Sequence, residues 1–301
     1  MYLDVEKKKL PDPPKGGACG KKIVIIRNVD HQYHDPFHKT ALKCGEFYEM
    51  YVCALSGGGN YEKQTKAVKN AIKMKPDLIL YMPIDQKRSV YHMRMMYEAG
   101  IPVFGTNVQA NTEGMSMQIC HTGPDEWGMA RALAREVSKQ MDGKGGLCLV
   151  THFPGGPAYN ARTYGFISEL KEVAPQIEIL DMDTAGFGSL KVEELALRWI
   201  DKWGNKLKSI ITAESFGPAL GVAAAVEKAG RDDILLAGMD NNSVSMKLVA
   251  EQRYHCCTLQ SSALDGALAM DTAAKWLSGE KVRPVTFLPT DIITKENILR
   301  Y

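Results

Sequence analysis

The sequence predicts an α/β protein built as two doubly wound parallel-sheet lobes. Short apolar runs alternate with segments of helical spacing along most of the chain, and 301 residues, 45% hydrophobic and 24% charged, suit two medium cores better than one compact domain. Polar and aromatic residues also gather directly after strands, at Asn28 to His38, Ala161 to Phe166 and Gly238 to Asn242, which points to binding of a small polyhydroxylated ligand.

Buried strands are expected at Ile23 to Ile26, Tyr51 to Leu55, Leu78 to Met82, Val103 to Thr106, Leu147 to Thr151, Ile177 to Leu180, Ile210 to Ala213 and Ile234 to Met239. Helices are expected between them, at Tyr61 to Met74, Ser89 to Ala99, Glu126 to Met141, Asn160 to Val173, Lys191 to Trp203, Ala219 to Ala229 and Val244 to Ala250. Such alternation means parallel strands joined by right-handed helical crossovers, with ligands at the carboxyl ends of the strands. Most apolar stripes are ordinary core: Val192, Leu195, Trp199 and Trp203 share one helical face that packs on a sheet.

Composition removes several functions. With 37 basic against 35 acidic residues the net charge is +2, so no broad basic surface invites nucleic acid. No run approaches the roughly 20 apolar residues that cross a bilayer. Met1 to Lys22, rich in Lys, Pro and Gly, reads as a tether or as the start left after removal of an export signal. None of the cysteines at 19, 44, 53, 120, 148, 256 and 257 forms a Cys-x-x-Cys pair. Those from Cys53 onward lie in apolar, strand-like runs and are expected as small buried thiols, with a Cys44–Cys53 disulfide as the alternative. There is no Gly-x-Ser-x-Gly, His-Glu-x-x-His, Gly-x-x-x-x-Gly-Lys or strand-linked Gly-x-Gly-x-x-Gly, so neither an enzyme nor a cofactor is expected.

In the loop after the first strand, Asp35 followed by Pro36 reads as a helix N-cap and first helical residue. His31, His34, Asp35 and His38 have metal-ligand chemistry, but Pro36 interrupts the helix that would align them, and no metal site is expected. Tyr33 and Phe37 suit stacking on the C–H face of a sugar, a plain core position being the alternative for Phe37. Asn107 ends a strand and can both donate and accept, as a hydroxyl does. Arg162 is read in the first turn of its helix, where a cation is unfavourable without a ligand or carboxylate partner. Asp240 can accept two hydroxyls, or cap the helix starting near Ser243, and Gln260 can add an amide.

From Lys22 to about Thr294 the chain resembles the type I periplasmic sugar-binding proteins, in the ribose and galactose/glucose branch. The resemblance rests on Asp35-Pro-Phe-His38, Lys75-Pro-Asp-Leu-Ile-Leu-Tyr-Met-Pro-Ile-Asp85, Ala99-Gly-Ile-Pro-Val103, Ala161-Arg-Thr-Tyr-Gly-Phe166, Ala219-Leu-Gly-Val222 and Ala237-Gly-Met-Asp240. It implies that Asp35, Asn107, Arg162, Ser215, Asp240 and Gln260 hold the ligand, with Phe37, His38 and Phe187 at its aromatic positions. His38 in place of an aromatic, Val108 where a charge is usual and Ser215 where Asn is common point away from plain ribose or glucose. It also implies a three-crossover hinge, with residues 1–21 as tether or linker, 22–123 plus 261–289 as the N-terminal lobe and 124–260 plus 290–301 as the C-terminal lobe.

The function expected is a monomeric receptor, periplasmic or extracellular and optionally lipid-anchored, that closes on a sugar or polyol and delivers it to a membrane ABC permease. A ligand-sensing subunit for a membrane sensor or chemoreceptor, or the core of a LacI-type transcription regulator, are the alternatives. Replacing Arg162 or Asp240 by Ala is expected to weaken binding at least about tenfold, the worth of one charge-assisted hydrogen bond, with little change in melting temperature.

Overall fold

Lys22-Ile-Val-Ile-Ile26 shows how the local chemistry builds the first sheet: all four apolar residues have no exposed surface, as a parallel strand covered on both faces requires. The computed structural model describes residues 8–30 and 33–301, so His31 lies outside the described residues. The chain divides into two units, one reaching to Pro124 and resuming over Ser262–Leu288, the other comprising Asp125–Ser261 and Pro289–Tyr301.

Unit 1 contains β1 (Lys22–Ile26), α1 (His34–Phe47), β2 (Tyr51–Leu55), α2 (Tyr61–Lys73), β3 (Leu78–Tyr81), α3 (Ser89–Glu98), β4 (Val103–Thr106), the single-turn α4 (Thr112–Met115) and β5 (Cys120–Gly123). Unit 2 follows with α5 (Glu126–Gln140), β6 (Lys144–Val150), α6 (Pro157–Val173), β7 (Gln176–Asp183), α7 (Ser189–Trp203), β8 (Leu207–Thr212), α8 (Gly217–Ala229), β9 (Leu235–Gly238), α9 (Ser243–Ala250) and β10 (Cys256–Thr258). Then α10 (Ser262–Leu277) and β11 (Val285–Phe287) return to unit 1, and β12 (Ile292–Thr294) completes unit 2.

Each unit holds a six-stranded sheet, ordered β11-β5-β4-β3-β1-β2 and β12-β10-β9-β8-β6-β7. The first is parallel throughout; in the second, β12 runs antiparallel to β10, which corrects the all-parallel expectation at that edge. Alternation along β1 sends Ile23 and Ile25 into the core shared with α1 and α10, and Val24 and Ile26 into the core shared with α2 and α3. In unit 2, Val192, Leu195 and Trp199 are buried on one face of α7 and Trp203 packs partly buried beside them.

The same alternation places the cysteines. Cys256 and Cys257 point into opposite cores, and Cys148 joins the latter, so these thiols act as small apolar side chains. All seven cysteines are free, Cys44 and Cys53 included, and Cys53 is half-buried rather than enclosed. Burial pushes the Cys120 and Cys148 thiols up to about 12.

Two helix starts differ from expectation. Residue Tyr33, already in helical conformation, precedes α1, so Asp35 is not the N-cap; it lies in the first turn, where its charge suits the helix dipole and Pro36 is tolerated. Helix α6 begins at Pro157, which puts Arg162 beyond the first turn. The dipole argument for Arg162 therefore fails, and its partners must come from elsewhere in the fold.

Helix α10 lies close on α1 because Gly266 has no side chain: a Cβ there would stand 2.5 Å from the Phe37 carbonyl oxygen and 3.1 Å from its carbonyl carbon. Backbone cannot yield as a flexible side chain does. Gly266→Ala should destabilise the protein by about 1–3 kcal/mol, the usual cost of overpacking, measured as a lower urea midpoint at unchanged slope.

Candidate functional site

The polar set of unit 2 is organised by Arg162, which is only 5% exposed. Its Nε donates to Glu126 Oε2 at 2.7 Å and its Nη2 to Glu126 Oε1 at 3.1 Å, a two-point grip on one carboxylate. Nη1 donates to Asp240 Oδ2 at 3.0 Å and to the Ala213 carbonyl at 2.7 Å, while Nη2 also donates to Gln260 Oε1 at 2.8 Å. These bonds use all of the roughly five donors a guanidinium has. Burial works against the charged form, but the charges of Asp240 and Glu126 outweigh it and hold Arg162 ionised.

Local structure explains the convergence. Glu126 opens α5, and α6 approaches α5 at Gly165, where a Cβ would stand 3.1 Å from Ala130 Cβ and 3.2 Å from the Trp127 carbonyl. Glu169 of α6 also accepts from Arg131 and Arg135 of α5, fixing the pair one turn further along. Asp240 lies just past β9 with φ 83°, a left-handed conformation unusual outside glycine and often found at functional positions. Asn242 caps α9, accepting from the Val244 and Ser245 backbone N–H groups, so Asp240 serves the cluster instead of the helix. Gln260 follows β10, and its backbone N–H donates to Asn241 Oδ1 at 2.8 Å.

Arg162, Asp240 and Gln260 are thus brought together, but Arg162 is spent on protein partners and orients the others. Ser215 is fully buried, its hydroxyl 3.5 Å from Thr212 Oγ1 at the end of β8. Phe187, 45% exposed in the loop after β7, meets Phe153 edge-on at 4.6 Å and His152 at 5.1 Å, an aromatic group at the carboxyl ends of β6 and β7.

In unit 1, Asn107 follows β4 with φ 60°, and its Nδ2 donates to Asp265 Oδ2 at 3.2 Å. Phe37 has no exposed surface and packs in the core with Ile25, Ala41 and Ala269. His38 is half-buried, and burial followed by the charge of Arg27 lowers its pKa, favouring the neutral ring. Asp35 is exposed. No group of three or more His, Cys, Asp and Glu side chains is gathered for a metal among the described residues.

Sequence reasoning missed Glu126, Glu214 and Asp265. A Glu at the start of a helix looks like a dipole residue, and only the Arg162 contact distinguishes it. Glu214, two residues past β8, accepts from the Phe216 backbone N–H through Oε1 at 2.9 Å, while its buried Oε2 has no hydrogen-bond partner among the described residues. Burial, then the charge of Asp240, raise its pKa to about 7.

The expectation that Arg162→Ala spares stability is corrected by this geometry. Removing the guanidinium strands Glu126 and Asp240, and breaking such a pair costs roughly 3–5 kcal/mol. Chemical denaturation of Arg162→Ala should show that loss, and Arg162→Lys should recover only part of it because an ammonium cannot form the fork. For Glu214 the folded pKa lies above the unfolded one, so its contribution to stability is full below the unfolded value near 4.5 and is lost as pH rises through about 7. Glu214→Gln should accordingly melt higher than the parent at pH 8, with the gap closing toward pH 4.5.

Comparison with known proteins agrees with this architecture. A family model described as a periplasmic binding protein domain matches residues 23–281. A protein of Rhizobium meliloti named for rhizopine binding is 24% identical over 243 residues, covering 79% of this chain and 78% of that protein. An ABC transporter solute-binding protein from Bacillus halodurans, solved with bound myo-inositol, superposes with a TM-score of 0.84 at 21% identity over 95% of this chain and 99% of its own. A periplasmic ribose ABC transporter protein from Conexibacter woesei gives a TM-score of 0.87 at 20% identity, covering 95% and 96% of the two chains. With the family match spanning most of its length, two doubly wound units and polar residues at their strand ends, this chain belongs to the periplasmic binding protein family.

Proposed function

We propose that the chain is the solute-binding receptor of an ABC importer and captures a monosaccharide, a polyol or a related polyhydroxylated molecule. The observation that carries this reading is the pairing of Asp240 and Gln260 on one buried guanidinium at the carboxyl edge of the unit 2 sheet. A fixed carboxylate accepts hydroxyl protons and a fixed amide both donates and accepts, so hydroxyl orientation is read by groups that need no reordering on binding. Arg162 acts in this reading as the residue that positions them. The aromatic group of Phe187, Phe153 and His152 offers ring faces to the C–H side of a sugar or cyclitol. In unit 1, Asn107 past β4 and, on α1, the exposed Asp35 and half-buried His38 are further polar candidates for a ligand, whereas Phe37, enclosed in the core, is not.

The relatives support the ligand class: one is named for rhizopine, one holds myo-inositol and one belongs to a ribose transporter. Work outside the cytoplasmic membrane, delivery to a membrane permease and a monomeric state come with this reading. The thiols of Cys120, Cys148, Cys256 and Cys257, buried in the two units' cores with pKa values pushed up by burial, are poor nucleophiles and poor oxidation targets and do not oppose it.

A thermal-shift panel of pentoses, hexoses, linear polyols and cyclitols tests the proposal, since a ligand that binds the native state raises its melting temperature by mass action. One member should raise it while its epimer does not, and Asp240→Ala should weaken that ligand about tenfold or more, the loss of one charge-assisted hydrogen bond. A flat response across the panel would reject the ligand class.

A further inference from the structure

Asp265 has no exposed surface and sits in the first turn of α10. Its Oδ2 accepts from the Tyr33 hydroxyl at 3.0 Å and from Asn107 Nδ2 at 3.2 Å. Its Oδ1 is equally buried and has no hydrogen-bond partner among the described residues. The arrangement is rigid: Ser262 Oγ donates to the Tyr33 carbonyl and accepts from the Phe37 backbone N–H at 3.1 Å, and Gly266 lies against the Phe37 backbone.

A purely structural residue at this position need not be an acid. An Asn would accept from Tyr33 and Asn107 equally well, without the cost of enclosing a carboxylate that uses half of its acceptor capacity. No backbone N–H of α10 takes the second oxygen, so helix capping does not account for it. Tyr33 stands just before α1 and Asn107 just past β4, so the carboxylate is held where loops gather at the carboxyl edge of the unit 1 sheet.

We propose that Asp265 is a ligand-binding residue of unit 1 whose Oδ1 accepts a hydrogen bond from the polyhydroxylated ligand, with Tyr33 and Asn107 as the residues that position it. This assignment rests on the receptor reading above. Burial raises the Asp265 pKa to about 7, and the hydrogen bonds from Tyr33 and Asn107 pull against that rise. Tyr33 is the titratable group facing it; no charged side chain among the described residues contributes. A donor on the ligand favours the ionised carboxylate, so binding strengthens as pH rises through that value.

The test is calorimetric titration of the full chain and of Asp265→Asn with myo-inositol, D-ribose and xylitol at pH 6 and pH 8, alongside melting of the unliganded proteins. Asp265→Asn should melt higher than the parent at pH 8, because it removes an enclosed charge, yet bind about tenfold or more weakly. The parent should bind more tightly at pH 8 than at pH 6 by more than the variant does, and the difference isolates Asp265 because Glu214 is present in both. Unchanged affinity with a raised melting temperature would overturn the assignment, as would a joint loss of melting temperature and affinity, which marks a structural residue. If the variant does not fold, the pH profile of the parent decides, and weaker binding at pH 8 overturns the assignment. A parent that binds none of the three probes overturns the receptor reading for these ligands and this assignment with it, whereas a parent that binds with an unaffected variant overturns the assignment alone.

Discussion

The polar half of unit 2 depends on one buried guanidinium. Arg162 brings Glu126 of α5, Asp240 past β9, Gln260 past β10 and the carbonyl of Ala213 past β8 to a common point. A charge so enclosed persists only with its partners in place, and the partners keep their orientation only while the charge is there. The cluster therefore ties four segments of the sheet edge together and fixes the direction of the groups offered to a ligand. The carboxylates of Glu126, Asp240 and Glu214 outnumber the single cation, and burial first, then the charge of Asp240, raise the Glu214 pKa.

Close backbone approaches set up this point. Gly165 lets α6 settle on α5, and Gly238 lets the end of β9 meet Ser215, Thr212 and Tyr254, where a Cβ would stand 2.3 to 2.9 Å from their side-chain oxygens. Unit 1 uses the same devices more sparingly: Gly266 seats α10 on α1, and Asn107 turns left-handed after β4 to reach Asp265. In both units an Asp or Asn in a conformation that favours glycine ends a strand, and its side chain is aimed by a partner from distant sequence. Strain and pairing thus occur together at the sheet edges where ligands of such folds bind.

The two-sheet architecture was legible because parallel strands covered on both faces must be continuously apolar, as β1 and β3 are. The shortest strands were not among those expected: Cys120-His-Thr-Gly123 holds two polar residues in four, β10 spans three residues, and β11 and β12 are three-residue edge strands. Arg162, Asp240 and Gln260 were legible from their positions after strands and from family wording. Their arrangement was not, because Glu126 is 36 residues from Arg162 and Gln260 is 98 away. Local rules misplaced the starts of α1 and α6, and with them Asp35 as an N-cap and Arg162 as a first-turn charge. Asp265 left no sequence signal, since an Asp in the first turn of a helix is ordinary until its partners are known.

The most direct test of the account is a crystal structure of the protein with the sugar or polyol that stabilises it most. The account predicts ligand hydroxyls within hydrogen-bond distance, about 2.5–3.2 Å, of Asp240 and Gln260 while Arg162 keeps its two-point grip on Glu126. A ligand bound away from these groups, or an Arg162 that abandons Glu126 to reach the ligand, would contradict it.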